Sequence, residues 1–327
     1  MKILITGGAG FVGRHFTKFF LDKGYEVKII DNIFHKTGSI DVDKKWPLFD
    51  PRDYKNFKFE KIDCRDWFKQ NSNDYFDYVL HLAAIVGGRE MIENNPIAVA
   101  DDLSIDAQFW NWAIKSKPKK IVQFSSSASY PVSLQKKGNF RLLKEDDISF
   151  KKNIGTPDMT YGWSKLTCEF LGKIAFEKYG LKSVVYRPFS GYGEDQDINY
   201  PFPNLCKNIF ELKKGKNIKI WGSGKQKRDF IHISDCVRGV IDTMDNIDNG
   251  DAINLSTGIY TDFISFVEMG LNLTNKNANI EVSFDKPEGV FARGGDTTKQ
   301  KAFGFSYRIN LKDGLRKMFE YIEKRKI

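Results

Sequence analysis

The chain has 327 residues, of which 41% are hydrophobic and 14% aromatic, and this composition excludes a disordered chain or a collagen-like fibre. The length fits two domains, or one large α/β unit with an added lobe. The net charge is +9, but the lysines are spread along the chain without a block of like charges, which argues against sequence-specific nucleic-acid binding and favours a small anionic substrate.

The N-terminal half alternates predicted strands and helices. Short apolar runs predict strands at 2–6, 26–30, 56–62, 78–82, 119–124 and 183–186. Helical spacing predicts helices at 11–23, 95–115 and 160–179. This alternation indicates an α/β fold with a doubly wound parallel sheet and right-handed crossovers. Ligands of such a sheet bind outside the carboxyl ends of its strands.

After about residue 188 the pattern loosens, because prolines and glycines interrupt it. The predicted elements are shorter: helices near 205–214, from 234 and at 311–325, and strands at 218–221 and 252–255. Thr261 is predicted to cap one more helix. We therefore predict a first domain over residues 1–187 and a smaller C-terminal α/β lobe over 188–327, some segments of which return to the first domain.

Three glycines, Gly7, Gly10 and Gly13, lie between the first strand and the first helix. They permit a tight turn and the close approach of a pyrophosphate, which then sits on the helix N-terminus. Asp31 ends the second strand, where a carboxylate accepts hydrogen bonds from the adenine ribose and repels a 2′-phosphate. The sequence thus predicts NAD rather than NADP. Asp63, after the third strand, is a candidate for the adenine edge; for both aspartates a turn role is the alternative.

Tyr161 and Lys165 have the i, i+4 spacing that places both on one helix face. A free tyrosine has a pKa of about 10 and is a poor base near neutrality. A nearby ammonium favours the phenolate, so we expect Lys165 to lower that pKa. An exposed Tyr–Lys pair is the plain alternative, but after the glycine motif the catalytic interpretation is favoured.

Two further groups complete the candidate site. The serine-rich segment 125–129 follows the fifth strand, where a hydroxyl could donate to a reacting oxygen, although an ordinary loop has the same composition. Arg228 and Arg293 suit a diphosphate because a planar guanidinium binds two oxygens at once; surface salt bridges are the alternative.

Together these segments resemble the extended short-chain dehydrogenases/reductases of the NAD-dependent nucleotide-sugar epimerase/dehydratase family. The resemblance covers nearly the whole chain. It rests on TGGAGFVG at 6–13, HLAA at 81–84, the serine segment, the Tyr–Lys pair, RPFSGYG at 187–193, WGSGKQKRDFIH at 221–232 and the segment 286–296. It implies a Rossmann-type first domain, a smaller lobe for a nucleotide-diphosphate sugar, and a homodimer packed through the helices near 96–115 and 160–179.

The resemblance also implies roles for single residues. Tyr161 would remove a proton from a sugar hydroxyl, Lys165 would hold the nicotinamide ribose, and Ser126 would hold the reacting oxygen. The implied substrate contacts are Ser127, Ser190, Arg228 and Arg293, although the family often has asparagine at the position of Ser190. The implied cofactor contacts are Gly7, Gly10, Phe11, Val12, Gly13, Asp31, Asn32, Asp63, Cys64, Leu82, Ala83, Ala84, Tyr161, Lys165 and Pro188.

One departure from the family pattern bears on the reaction. The 4,6-dehydratases generally keep a glutamate two places after the catalytic serine or threonine, and here Ala128 stands there. The resemblance therefore favours C4 epimerisation through a transient 4-keto sugar. The alternatives are a 4-dehydrogenase/4-ketoreductase, a 4,6-dehydratase that uses Glu90 or Asp195, and an NAD-sensing protein without activity. The nucleotide and the sugar stay open, and polysaccharide biosynthesis is the expected setting.

The remaining composition suggests a cytoplasmic protein. No apolar run approaches the ~18 residues of a membrane helix, and the first residues are too short an apolar stretch for a signal peptide. No metal site is predicted, because the cysteines are scattered without a CxxC pair and fit reduced thiols: Cys64, Cys168, Cys206 and Cys236.

Overall fold

The computed structural model describes residues 1–34, 38–85, 93–98, 101–284 and 289–325. Glu90 and residues 286–288 of the last motif, both named above, lie outside these ranges. No described helix is long and apolar enough to cross a membrane.

A seven-stranded parallel sheet is the centre of the fold, in the order β7-β6-β5-β4-β1-β2-β3. This doubly wound, Rossmann-like α/β architecture confirms the predicted fold class. The strands are β1 (Lys2–Thr6), β2 (Glu26–Asp31), β3 (Phe57–Lys61), β4 (Tyr78–His81), β5 (Lys120–Phe124), β6 (Ser183–Pro188) and β7 (Asn249–Leu255).

Helices cover both faces of the sheet, because successive side chains of a strand point to opposite faces. On β1, Ile3 and Ile5 join one buried cluster while Leu4 joins another. The helices, in chain order, are α1 (Phe11–Asp22), α2 (Cys64–Gln70), α3 (Asp101–Ser116), α4 (Met159–Tyr179), α5 (Pro201–Phe210), α6 (Ile233–Thr243), α7 (Phe263–Leu273), α8 (Thr298–Ala302) and α9 (Leu311–Arg325).

The C-terminal part forms a separate apolar cluster built mainly from α5, α7 and α9 and the paired strands Ile218–Trp221 and Ile280–Ser283. A small sheet pairs Lys227–Arg228 with Thr261–Asp262 and with Ala292–Arg293. A hairpin joins Gln135–Lys136 to Asn139–Phe140. The chain also returns to the central sheet: β7 pairs with β6, and α6 packs against α1.

Several boundaries differ from the predicted ones. Thr261 was the wrong cap: Asp262 caps α7 by accepting a hydrogen bond from the Ser265 amide at 2.8 Å. The helix expected near 205–214 begins four residues earlier, at Pro201, because proline fits the first turn of a helix. The helix predicted to begin at residue 95 is α3, whose described part begins at Asp101. The helix α2 was not predicted from the sequence.

The lysine-rich segment 40–58 is anchored by Trp46, which is fully buried. Its ring packs edge-on against Phe49 and Phe57, and its indole nitrogen donates to the Ile40 carbonyl at 3.0 Å. The segment therefore extends the apolar core beneath β2 and β3.

Candidate active site

A cavity of about 450 Å³ opens at the carboxyl ends of the parallel strands. Segments that follow β1, β4 and β5 meet there with the ends of β2 and β6 and with parts of the C-terminal lobe. The residues predicted for catalysis, cofactor or substrate all line it, namely Gly7, Gly10, Phe11, Val12, Gly13, Asp31, Asn32, Asp63, Cys64, Leu82, Ala83, Ala84, Ser126, Ser127, Tyr161, Lys165, Pro188, Ser190, Arg228 and Arg293.

The glycine-rich turn is packed too closely for side chains. A Cβ on Gly13 would lie 2.4 Å from the Gly7 carbonyl oxygen, and one on Gly7 would lie 2.9 Å from the Ala83 nitrogen. Gly7 also has a φ of +69°, which glycine adopts without strain. Gly10 is the N-cap of α1 and offers no side chain to the first amides of the helix. Those amides suit an anion, so the turn fits the pyrophosphate of a dinucleotide.

Asp31 links the end of β2 to this turn. Its Oδ2 accepts from the Ala9 amide at 3.1 Å and its Oδ1 from the Ile33 amide at 2.8 Å. Burial raises the pKa of Asp31, and the amide hydrogen bonds offset that only in part. A carboxylate held at the end of β2 is consistent with the predicted ribose contact.

Asp63 is the N-cap residue of α2. Its side chain caps α2 by accepting from the Arg65 amide at 2.9 Å and pairs with the Arg65 guanidinium at 2.8 Å. The hydrogen bond from the Arg65 side chain holds the pKa of Asp63 below its usual value. Asp63 therefore has the structural role that was the alternative for it, and its contact with the adenine edge stays a prediction.

The Ser126, Tyr161 and Lys165 side chains come from two elements. Ser126 follows β5, and its hydroxyl accepts from the Ala128 amide at 3.1 Å. Tyr161 and Lys165 lie in the first two turns of α4, with Lys165 Nζ 5.7 Å from the centre of the tyrosine ring. The helix comes close to the serine segment because Gly162 has no side chain; a Cβ there would lie 2.4 Å from the Ala128 carbonyl oxygen.

Burial and two charged side chains act on the pKa of Tyr161. Burial raises it, Lys165 lowers it, and the Asp102 carboxylate raises it again. The net direction is upward. The expected lowering by Lys165 is present, but it does not bring the pKa below its ordinary value. Desolvation of the buried phenolate outweighs the attraction of the ammonium, and the Asp102 carboxylate adds to the upward direction.

Arg228 and Arg293 are direct neighbours in the small sheet, where they are partners in a parallel register. Arg293 donates to Gln135 Oε1 at 2.7 Å and pairs with Asp158 at 2.8 Å. Arg228 donates to the Val290 carbonyl at 3.0 Å. Like charges on adjacent strands repel each other, and an anion bound at the cavity would offset that repulsion.

Asp195, considered as a displaced acid/base, is committed elsewhere. Its buried carboxylate pairs with Arg14 at 2.9 Å and with His15 at 2.6 Å. Asp195 is not one of the described residues that line the cavity. The structure thus contradicts the interpretation of Asp195 as the acid/base of a dehydratase.

Sequence reasoning missed other residues near the site. Asp197, from the segment before α5, lines the cavity, and Asp102 lies beside Lys165. No local pattern marks these residues, since their position depends on packing between distant segments. Within the described ranges no cluster of three or more metal-ligating side chains occurs.

Comparison with known proteins gives a consistent result. The model of the NAD dependent epimerase/dehydratase family matches residues 3–256. A UDP-glucuronate 4-epimerase of Thermodesulfobacterium geofontis is 29% identical over 321 residues, covering 96% of this chain and 94% of the relative. A UDP-N-acetyl-alpha-D-glucosaminuronate decarboxylase of Bacillus cytotoxicus is 26% identical over 339 residues, with coverages of 98% and 97%.

Among solved structures, the UDP-glucuronic acid 4-epimerase of Bacillus cereus, in complex with UDP-glucuronic acid and NAD, superposes with a TM-score of 0.80. It is 25% identical, and the match covers 99% of this chain and 100% of that one. The similarity therefore spans both the sheet and the C-terminal lobe.

Proposed function

This chain belongs to the NAD-dependent epimerase/dehydratase family, and within it we propose a nucleotide-sugar 4-epimerase that acts on a nucleotide-diphosphate hexose. Its cofactor is NAD, which supplies reversible oxidation of a carbinol carbon when bound. The glycine turn and Asp31 fit that cofactor. The observation that carries the proposal is one cavity that joins this turn to Ser126, Tyr161 and Lys165.

In the proposed reaction Tyr161 removes the proton from the C4 hydroxyl of the sugar. The Ser126 hydroxyl holds the same oxygen, and the Lys165 ammonium offsets the charge of the phenolate. The 4-keto sugar then turns over in the cavity, and Tyr161 returns the proton after reduction on the other face. The sugar leaves as its C4 epimer, with no net change in the cofactor.

The absence of an acid/base at one position favours epimerisation over dehydration. Ala128 stands two residues after Ser126, is buried, and has no group that transfers a proton. Among the described carboxylates of the cavity, Asp31 and Asp63 lie near the ends of β2 and β3, and Asp197 lies against Gly38 beside the glycine turn. The relatives named as 4-epimerases support the same choice.

The substrate class follows from the paired arginines, which we propose bind the diphosphate. Residues 1–187 would then hold most of the cofactor contacts, and residues 188–327 would close the substrate side. We also propose a homodimer through α3 and α4, since Leu103, Trp163 and Phe170 on these helices have exposed fractions of 40%, 44% and 44%.

The first test is proton NMR of the purified protein with NAD and a panel of UDP-, GDP-, dTDP- and CDP-sugars. We expect a new C4 epimer of one sugar without net NADH. A 4-keto-6-deoxy product, a decarboxylated sugar or net NADH formation would each replace the proposal with that reaction.

A matched pair of variants tests the base. Tyr161→Phe is expected to lower kcat by roughly 10²–10⁴-fold, as for loss of a general base. Tyr179→Phe makes the same change at the exposed end of the same helix and should leave turnover unchanged. Full turnover by Tyr161→Phe would overturn the assigned mechanism.

A further inference from the structure

Asp102 is a buried carboxylate beside the lysine of the candidate site. It lies in the first turn of α3, and its side chain is 1% exposed. Its Oδ2 lies 3.6 Å from Lys165 Nζ, which is buried as well. Among the described residues, no other carboxylate lies within 4.0 Å of that ammonium. The two charges thus form a pair away from solvent.

The carboxylate is fixed by a second contact. Asp102 Oδ1 accepts a hydrogen bond from the amide of Ile85, in the segment that follows β4 and lines the cavity. Its Oδ2 has no hydrogen-bond donor among the described residues, and the Lys165 ammonium is the cation that it pairs with. Asp102 therefore ties the lysine on α4 to the segment after β4.

A second buried carboxylate on α3, Asp106, forms its ion pair with a different residue. Asp106, one turn further along α3, pairs with His81 at 3.1 Å, and the other ring nitrogen of His81 contacts the Thr6 hydroxyl at 2.8 Å. This second pair is buried, and the Asp106 charge acts on Lys165 from beyond ion-pair distance. Asp102 is therefore the carboxylate that pairs with Lys165.

We propose that Asp102 is a positioning residue that holds the Lys165 ammonium in place and neutralises part of its charge toward Tyr161. A buried ammonium without a counter-charge would be strongly unfavourable. The pair offsets part of that cost, and it also weakens the attraction that the ammonium exerts on the phenolate. The proposal rests on the proposed function only where Tyr161 is taken as the base.

The charges around the two groups give the sign of the effect. Burial raises the pKa of Tyr161, and Lys165 opposes this more than any other group. Asp102 raises it, because a carboxylate disfavours a neighbouring phenolate. Removal of the Asp102 charge should therefore lower the pKa of Tyr161. Among the described residues, the other titratable, charged or polar groups that face this pair are Ser126, Arg293, Tyr200, Asp106 and Cys168.

The direct test is Asp102→Asn, which keeps the side-chain shape and an oxygen for the Ile85 amide. The pKa of Tyr161 is measured in the NAD-loaded protein as the ultraviolet phenolate signal that Tyr161→Phe removes. We expect a downward shift of about one pH unit, at the low end of the effect of a neighbouring charge. An unchanged or higher midpoint would overturn the proposal.

The chain offers a matched control in Asp101→Asn, which removes the same charge from the same turn but on the exposed side. That variant should leave the midpoint where it is, and an equal shift would show a general effect of net charge. Asp102→Glu keeps the charge, and its Tyr161 titration midpoint should stay close to that of the wild type.

A stability measurement covers the case in which Asp102→Asn is too unstable to titrate. The double variant Asp102→Asn/Lys165→Met removes both charges and should melt higher than Asp102→Asn alone, because no unpaired charge stays buried. If the double variant is the less stable of the two, the pair has no such role.

The kinetic arm is separate from these readouts. If the enzyme is active on a nucleotide sugar, the acid limb of kcat should move to lower pH in Asp102→Asn by the same amount as the phenolate midpoint. The titration needs no substrate. Failure of the proposed epimerase reaction would thus leave the test of Asp102 intact.

Discussion

Replacement of Asp195 by asparagine should destabilise the whole chain, because this carboxylate joins the glycine-rich turn to the C-terminal lobe. It accepts from Arg14 Nη2 at 2.9 Å and Nε at 3.2 Å, and it pairs with His15 at 2.6 Å. Arg14 in turn donates to the carbonyls of Ala9 and Gly38 at 2.8 and 3.1 Å. Asp195→Asn keeps the shape of the side chain but leaves the buried guanidinium without its counter-charge.

The expected loss follows from burial. Both side chains of the pair are almost inaccessible, with 3% exposure for Arg14 and 1% for Asp195. Removal of one partner of such a pair costs about 3–5 kcal/mol of unfolding free energy. At roughly 2 °C per kcal/mol, the low end of the range because the chain is large, the melting temperature should fall by roughly 6–10 °C.

The pH dependence gives a second signature. Burial raises the pKa of Asp195, but the His15 hydrogen bond and the charges of His15 and Arg14 bring it below its ordinary value. The ionised carboxylate thus stabilises the fold above the unfolded pKa of about 3.9. This contribution is lost as the pH falls through the lower folded pKa, so the difference between wild type and Asp195→Asn should shrink below about pH 4.

Guanidinium unfolding of wild type, Asp195→Asn and Asp22→Asn would test this reasoning. Asp22 pairs with Lys18 on the exposed face of α1, and its loss should cost no more than about 1 kcal/mol. An equal, small loss in both variants would refute the argument from burial. A stable Asp195→Asn protein that binds nucleotide sugar but has no turnover would instead restore the acid/base interpretation.

Three further predictions concern packing, the cofactor and assembly. Trp46→Ala should lower the unfolding free energy by about 3–5 kcal/mol in the same denaturant assay, because the indole is fully buried. Gly13→Ala should weaken NAD binding in calorimetry at least tenfold, since its Cβ would displace the Gly7 carbonyl, and unchanged binding would contradict the proposed turn. Trp163→Glu with Phe170→Glu should convert a sedimenting dimer into a folded monomer; a wild-type monomer would remove the dimer proposal.

Much of the fold and of the site could be predicted because the relevant signals are local. Apolar runs and helical spacing depend on residues that are neighbours in sequence. They indicated the strands of the sheet and the long helices that pack on it. The glycine turn could be predicted because Gly7 and Gly13 must approach other backbone atoms within one loop. The Tyr161–Lys165 spacing sets a common helix face by geometry alone.

The tertiary structure decided which charges meet, and no local pattern carries that information. Asp102 and Lys165 come from different helices, and Asp195 reaches Arg14 from a segment far along the chain. The register of the small sheet makes Arg228 and Arg293 neighbours.

The same holds for the direction of the Tyr161 pKa. The sequence by itself determined that an ammonium lies one turn from the tyrosine. Only the packed structure decided that burial and a second charge outweigh it, because desolvation depends on everything that surrounds a side chain.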